Sequence, residues 1–153
     1  KSPVIIDKYE LREDSGGAGK YRGGLGTETV AHLRVDAMVQ NKMIRSRCLP
    51  WGLRGGKPGA GNESQVLDPE GKVAQVPRTD KYPLPAGHRV RMLTGGGGGY
   101  GNPFERDPEQ VRLDVLGGAV SLKSAADDYG VVIDPVTRRV DMEATRASRR
   151  RQQ

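Results

Sequence analysis

The chain has 153 residues, 35% hydrophobic and 29% charged, which supports one ordinary domain burying about 70% of its unfolded surface. No run approaches eighteen apolar residues, so no membrane span is expected; no secretory h-region is present, which says nothing of a longer parent chain. The 25 basic against 19 acidic side chains give a net charge of +6, and Cys48 is the only cysteine, which excludes an internal disulfide and indicates a reducing, cytoplasmic setting.

Val4-Ile5-Ile6 and Tyr9-Glu10-Leu11-Arg12 read as two short strands. The stretch DSGGAGKYRGGLG, residues 14–26, follows as a loop. Glycine, at 22 residues, has about twice its usual share of roughly 7% and marks turns, bulges or close backbone approaches. From about Thr27 a strand places Ala31, Leu33 and Val35 on one face, with His32 and Arg34 on the other. Met43 to Cys48 is a further strand candidate, ending at PWGLRGGKPGAGN, whose glycines and prolines forbid a regular element. Cys48 reads as a buried structural thiol, because no local base would activate it. Gln65-Val66-Leu67 and Lys72 to Val76 flank Asp68-Pro69-Glu70-Gly71, which suits a type I turn and predicts a hairpin. After Pro83-Leu84-Pro85-Ala86-Gly87, residues 88–94 read as a strand running into GGGGGYGNP.

Helix signals come last. Asp107 offers an N-cap, Pro108 the first helical position and Gln110 the third residue after the cap; Val111, Leu113, Val115 and Leu116 supply apolar contacts until Gly117-Gly118. Ser121 caps a second helix through Tyr129, closed by Gly130. Val131-Val132-Ile133 is a buried strand candidate, Asp134-Pro135 a turn, and Asp141 the cap of a last helix. In TRASRRRQQ, Arg146, Arg149, Arg150 and Arg151 read as a solvated tail holding much of the basic excess. No aromatics interleave with them, as base stacking would need, so no nucleic-acid partner is expected. The predicted fold class is α+β, mainly antiparallel β with long Gly-rich loops and short helices in the C-terminal third. Residues 1–106 form the β-rich region, 107–145 a helical portion of the same domain, and 146–153 the basic tail.

The glycine loops invite a nucleotide reading that the residues refuse. A P-loop needs Ser or Thr after its Lys, and glycine five residues before the Gly of its Gly-Lys pair; for Gly19-Lys20, Tyr21 and Asp14 occupy those positions. Strand-like sequence on both sides also argues against a phosphate-binding helix N-terminus. The dinucleotide spacing within Gly95 to Gly101 arises by accident from five consecutive glycines. Neither His32 nor His88 has a partner at metal-ligand spacing, so no metal ligand is assigned.

The order of the motifs is distinctive. YELREDSGGAGKYRGGLG, PWGLRGGKPG, LPAGHRVRMLTGGGGGYGNPFERDPEQVRLDVLGGAVS and AADDYGVV together resemble the C-terminal part of the hydantoinase B family, from about Ser2 to Val132. That family includes B subunits of ATP-dependent N-methylhydantoinases, the matching half of 5-oxoprolinases, and large subunits of acetone and acetophenone carboxylases. The resemblance implies that a hydantoinase A-type subunit or domain binds ATP and phosphorylates a carbonyl or lactam-type oxygen, while the B-type part handles the activated intermediate. It further implies that ATP and a divalent metal are held elsewhere in the assembled enzyme. This segment then holds no cofactor and no catalytic residue, and its partners are the A-type component and the remainder of the B-type subunit. His88 stands where the family pattern has Asp, so no role for that acid is carried over. The opening Lys1-Ser2-Pro3 lacks Met and the chain is several-fold shorter than a full B subunit. It therefore reads as a C-terminal piece or a small subunit of a split gene.

The expected function is a C-terminal region of an ATP-dependent hydrolase opening cyclic amides, with a carboxylase subunit or a non-catalytic assembly subunit as alternatives. Two readings of the glycine loops follow: tight packing against another domain or subunit, or an anion-binding nest at the site's edge. For contact with substrate or partner the candidates are Asp14, Ser15, Gly16, Gly17, Arg22, Arg54, Gly97, Gly98 and Gly99, because an exposed acid or guanidinium beside glycine loops can hold a polar group.

Overall fold

The structure, a computed structural model, describes residues 2–76 and 78–151, so Lys1 and residues 152–153 of the expected tail lie outside it. Seven strands are present: β1 (Val4–Leu11), β2 (Thr27–Leu33), β3 (Ala37–Asn41), β4 (Glu63–Leu67), β5 (Val73–Gln75), β6 (Thr79–Leu84) and β7 (Arg89–Leu93). Five form an antiparallel sheet in the order β1-β2-β7-β4-β5, and β3 pairs with β6 in a second, two-stranded sheet. The α+β class predicted from the sequence is the class observed.

Period-2 alternation explains where the first core sits. Leu33 of β2, Val66 of β4 and Val90 of β7 are buried together with Leu84 of β6 and Val76, so the small sheet covers the large one. Each such aliphatic residue contributes about 1.5–3 kcal/mol by leaving water. The predicted hairpin is β4-β5. Gly71 N–H donates to Asp68 O at 3.0 Å and Lys72 N–H to Asp68 Oδ1 at 2.7 Å, while Gly71 takes φ +87°, the left-handed residue that follows a type I turn in short hairpins.

Four expectations change. The two short strands at the start are one, β1, whose register against β2 shifts between Ile6 and Lys8. Residues 43–48 form no strand, because Asn62 holds that backbone instead: its side chain donates to Ile44 O and its N–H to Arg45 O. Strands β3 and β6 had no sequence signal. Pro83 lies within β6 opposite Met38, which is tolerated because β6 has β3 as its sole strand neighbour and leaves its other edge unpaired. Val131 and Ile133 are buried, yet residues 131–133 form only an isolated bridge, Ile133 to Val140.

Helices α1 (Pro108–Leu116), α2 (Leu122–Tyr129) and α3 (Met142–Arg150) begin at the predicted caps. Asp107, Ser121 and Asp141 side chains accept from Glu109, Ser124 and Ala144 N–H, satisfying orphan donors of each first turn. Gly130 ends α2 in the left-handed region at φ +63°. A second core of Val111, Val120, Ala125, Tyr129, Val131 and Ile133 lies beneath these helices.

The basic run is not a frayed tail. α3 extends through Arg150, and Arg149 is half-buried, donating to Tyr129 O at 3.0 Å and Arg106 O at 2.8 Å. Within residues 107–151 basic and acidic side chains balance at eight each. The positive excess therefore belongs to the β-rich region.

Candidate functional site: the glycine bundle

Because the sheet is antiparallel, the end of β1, the start of β2, the start of β4 and the end of β7 meet at one edge. The three glycine-rich segments, residues 15–26, 50–61 and 94–101, leave the sheet there and run side by side. They exchange backbone hydrogen bonds without forming a sheet: Gly17 N–H to Gly97 O at 2.9 Å, Gly97 N–H to Gly24 O at 2.9 Å, Gly99 N–H to Lys57 O at 2.9 Å, and Lys57 N–H to Ala18 O at 2.7 Å. Leu53 N–H donates to Gly99 O and Gly101 N–H to Leu53 O, both at 2.9 Å.

Close approach, rather than unusual dihedrals, demands the glycines here. A Cβ on Gly98 would lie 1.9 Å from Trp51 O, and one on Gly99 2.1 Å from Ala18 O. Within the three segments only Gly55 and Gly101 adopt positive φ among the glycines. Chains this close admit no side chain between them. The N–H groups of Gly17, Gly97 and Gly99 are used inside the bundle and do not converge on an outside anion.

The helices grip the bundle. Ala18 inserts into the second core, and Asp14, left-handed at φ +58°, fastens the first loop to α2: its N–H donates to Ala119 O at 3.1 Å and its Oδ1 accepts from Ser121 N–H at 2.8 Å. Lys57 reaches Asp128 at 2.7 Å. Burial pushes the Asp128 carboxyl upward, yet the hydrogen bonds from Lys57 and Ser124 outweigh it and hold the group below the ordinary carboxylate value.

A semi-buried ion cluster lies between bundle and helices. Arg106 donates to Asp114 Oδ2 from Nε and Nη2, at 3.1 and 2.8 Å, and Arg22 Nε lies 3.3 Å from Asp114 Oδ1. That last contact is charge pairing only, since Arg22 Nε has no aligned hydrogen-bond acceptor. The fully buried Tyr129 hydroxyl also lacks a partner, and burial raises its pKa to about 12.

The sequence-chosen residues thus separate by environment. Ser15 is fully buried, its Oγ donating to Arg12 O at 2.5 Å and accepting from Gly26 N–H at 2.9 Å. Gly17 and Gly99 are buried, and Gly16 and Gly98 half-buried. Arg22 is not the exposed guanidinium expected, because Asp114 draws it inward. Asp14, Arg54 and Gly97 are exposed, with Arg54 left-handed at φ +52°. Cys48 is exposed, not buried. Asp114, Arg106, Asp128 and Tyr129, which fix the bundle from the helical side, lie within the quoted family motifs but were not chosen as site candidates, because no local chemical pattern marks them. Among the described residues no three His, Cys, Asp or Glu side chains gather as a metal site, and no helix is long and apolar enough to cross a membrane.

The sheet and its bundle coincide with a known family. Residues 1–103 match the hydantoinase B/oxoprolinase family, and the chain belongs to it. An uncharacterized protein of Methanocaldococcus jannaschii is 43% identical over 96% of this chain and 26% of its own length. The caprolactamase subunit beta of Pseudomonas jessenii is 36% identical over 96% of this chain and 26% of its own. The crystal structure of the ATP-dependent caprolactamase from the same organism superposes with a TM-score of 0.85 at 34% identity, over 97% of this chain and 26% of that one. A nucleotide-free acetone carboxylase structure gives 0.79 at 26% identity, over 99% and 25%. The chain spans about a quarter of the length of these relatives.

Proposed function

We propose that this chain is a non-catalytic domain, the C-terminal region of a hydantoinase B-type component, within an ATP-dependent enzyme that opens cyclic amides of the hydantoin or 5-oxoproline type. The supporting observation is the likeness to ATP-dependent caprolactamase, an enzyme named for a lactam, which covers sheet, bundle and helices together. Phosphorylation of a ring amide oxygen removes the resonance that protects the carbonyl carbon. In this reading the A-type component binds ATP and performs that step, and the remainder of the B-type chain holds the divalent metal. The present segment closes the site. Arg54 and Gly97, exposed beside the bundle, contact substrate or partner; Asp14, Ser15, Gly16, Gly17, Arg22, Gly98 and Gly99 hold them in place from behind. The proposed setting is the cytoplasm, where the exposed thiol of Cys48 remains reduced.

The acetone carboxylase likeness supports a second reading, in which the activated oxygen compound is carboxylated. The test is to purify the natural complex containing this sequence and assay ATP-dependent opening of hydantoin, 5-oxoproline and caprolactam beside fixation of labelled bicarbonate. Ring opening without label uptake is expected. ATP-dependent label uptake on a ketone without ring opening would replace the first reading with the second.

A further inference from the structure

Where the bundle ends, side chains return, and they are large and exposed. Tyr21 pairs with Tyr100 in antiparallel fashion, and Tyr100 pairs with Leu53 in parallel, so three hydrogen-bonded chains put these residues on one rung. The two tyrosine rings are 6.3 Å apart. Tyr21 is 63% exposed, Leu53 55%, Tyr100 48%, and Trp51, two residues before Leu53, 77%. Leu49 and Ile44 extend the same apolar exposure along the segment. A contiguous group of this kind is costly in water unless something covers it.

Its charge points one way. Between Asp36 and Glu63 the sequence has five basic residues and no acidic one. Lys57 is neutralised by Asp128, whereas Arg45, Arg47 and Arg54 are exposed and no described acidic side chain pairs with them. Basic charge beside Trp, Tyr and Leu is the composition of a protein docking surface, in which aromatics and arginine supply the anchors. Leucine and isoleucine neither stack on exposed bases nor pair with phosphates, and a second copy would bring like charge against like.

We propose that Tyr21, Trp51, Leu53 and Tyr100, with the exposed Arg45, Arg47 and Arg54 of the same basic segment, form the docking surface for a separate subunit with an apolar patch bordered by Asp and Glu. This rests on the assembly described above, and it places the contact on the outer end of the bundle. The abundance of arginine favours a partner subunit over a permanently attached domain, whose interfaces are more uniformly apolar.

The experiment places a photo-crosslinking phenylalanine analogue at position 51 in the full natural complex and identifies the captured peptide by mass spectrometry. An acidic segment of a different subunit is expected. In parallel, Trp51→Ala and the pair Arg45→Glu with Arg47→Glu, all at exposed positions, should weaken association of that subunit at least tenfold. The charge reversal should also remove most of the salt dependence of the association rate. A cross-link to the same polypeptide, to a second copy or to nucleic acid would overturn the proposal, as would unchanged association in both variants. A correct cross-link in a complex that neither opens rings nor fixes bicarbonate would leave the docking surface standing and remove the functional reading.

Discussion

The glycine bundle and the helical portion solve the same packing problem with opposite materials. Beneath the helices, Val111, Ala125, Tyr129 and Val131 are held by apolar burial, which tolerates modest changes of shape because neighbouring rotamers adjust. In the bundle the filling material is backbone, and at most of its glycines, Gly17, Gly56, Gly98 and Gly99 among them, a carbonyl oxygen sits where a Cβ would go. Apolar burial there is minor, and specificity comes from hydrogen bonds between chains. Backbone cannot rotate away as a side chain can. The bundle should therefore be intolerant of additions that the helical core would absorb.

That contrast can be broken first at Gly98. Gly98→Ala should cost about 3 kcal/mol or more, whereas Gly24→Ala, where an added Cβ meets nothing within 4 Å, should stay within about 0.5 kcal/mol. Paired urea midpoints measure the difference, and similar costs would end the backbone-packing account. Next comes the ion cluster between the regions. Asp114→Ala leaves Arg22 and Arg106, both mostly buried, without their counter-charge and should destabilise by about 2–3 kcal/mol. In the helical core Val111→Ala, at a site with no exposure, should cost about 2 kcal/mol, while Tyr129→Phe removes an unpartnered buried hydroxyl and should be neutral or stabilising by about 1 kcal/mol. The smallest effect lies in the sheet. The hydrogen bond from Arg91, helped by Lys8, holds the Glu28 carboxyl below its ordinary value of 4.5 against the opposing effect of burial. A depressed carboxyl stabilises the fold above its unfolded pKa, and that stability is lost as pH falls through the folded value. Glu28→Gln should accordingly flatten the acid limb below about pH 4.5 in a midpoint-versus-pH series.

What the sequence disclosed follows from how local each signal is. The caps at Asp107, Ser121 and Asp141 and the turn at Asp68 to Gly71 are decided within four residues, and all were legible. The pairing of β3 with β6 depends on partners some forty residues apart, with Pro83 masking the strand, and it was invisible. Arg149 looked like part of a tail because its intramolecular acceptors, Tyr129 O and Arg106 O, are carbonyls that no sequence pattern reports. For the candidate site, the glycines were read as close backbone approaches packing on another domain or subunit, or as an anion nest. The close approach is there, but between the loops themselves, and the usable clue was that three separate segments were glycine-rich together, as mutual close packing requires. Arg22 was chosen as an exposed guanidinium, and its inward turn depends on Asp114, ninety-two positions away.

The wide spacing of the three glycine segments also sets an order of events during folding. A few bonds close within a segment, such as Gly23 N–H to Gly17 O and Gly56 N–H to Leu53 O, but those between segments must wait until partners dozens of residues distant have been brought alongside. Loop closure is completed before any of those bonds rewards it. The capped helices carry their own local signals and can form early. Assembly of the bundle is then the slow, late step in refolding, and in a nascent chain the first glycine loop, which can pair with Lys57 and Ala60 once they are made, has its full set of partners only when synthesis has passed Gly101.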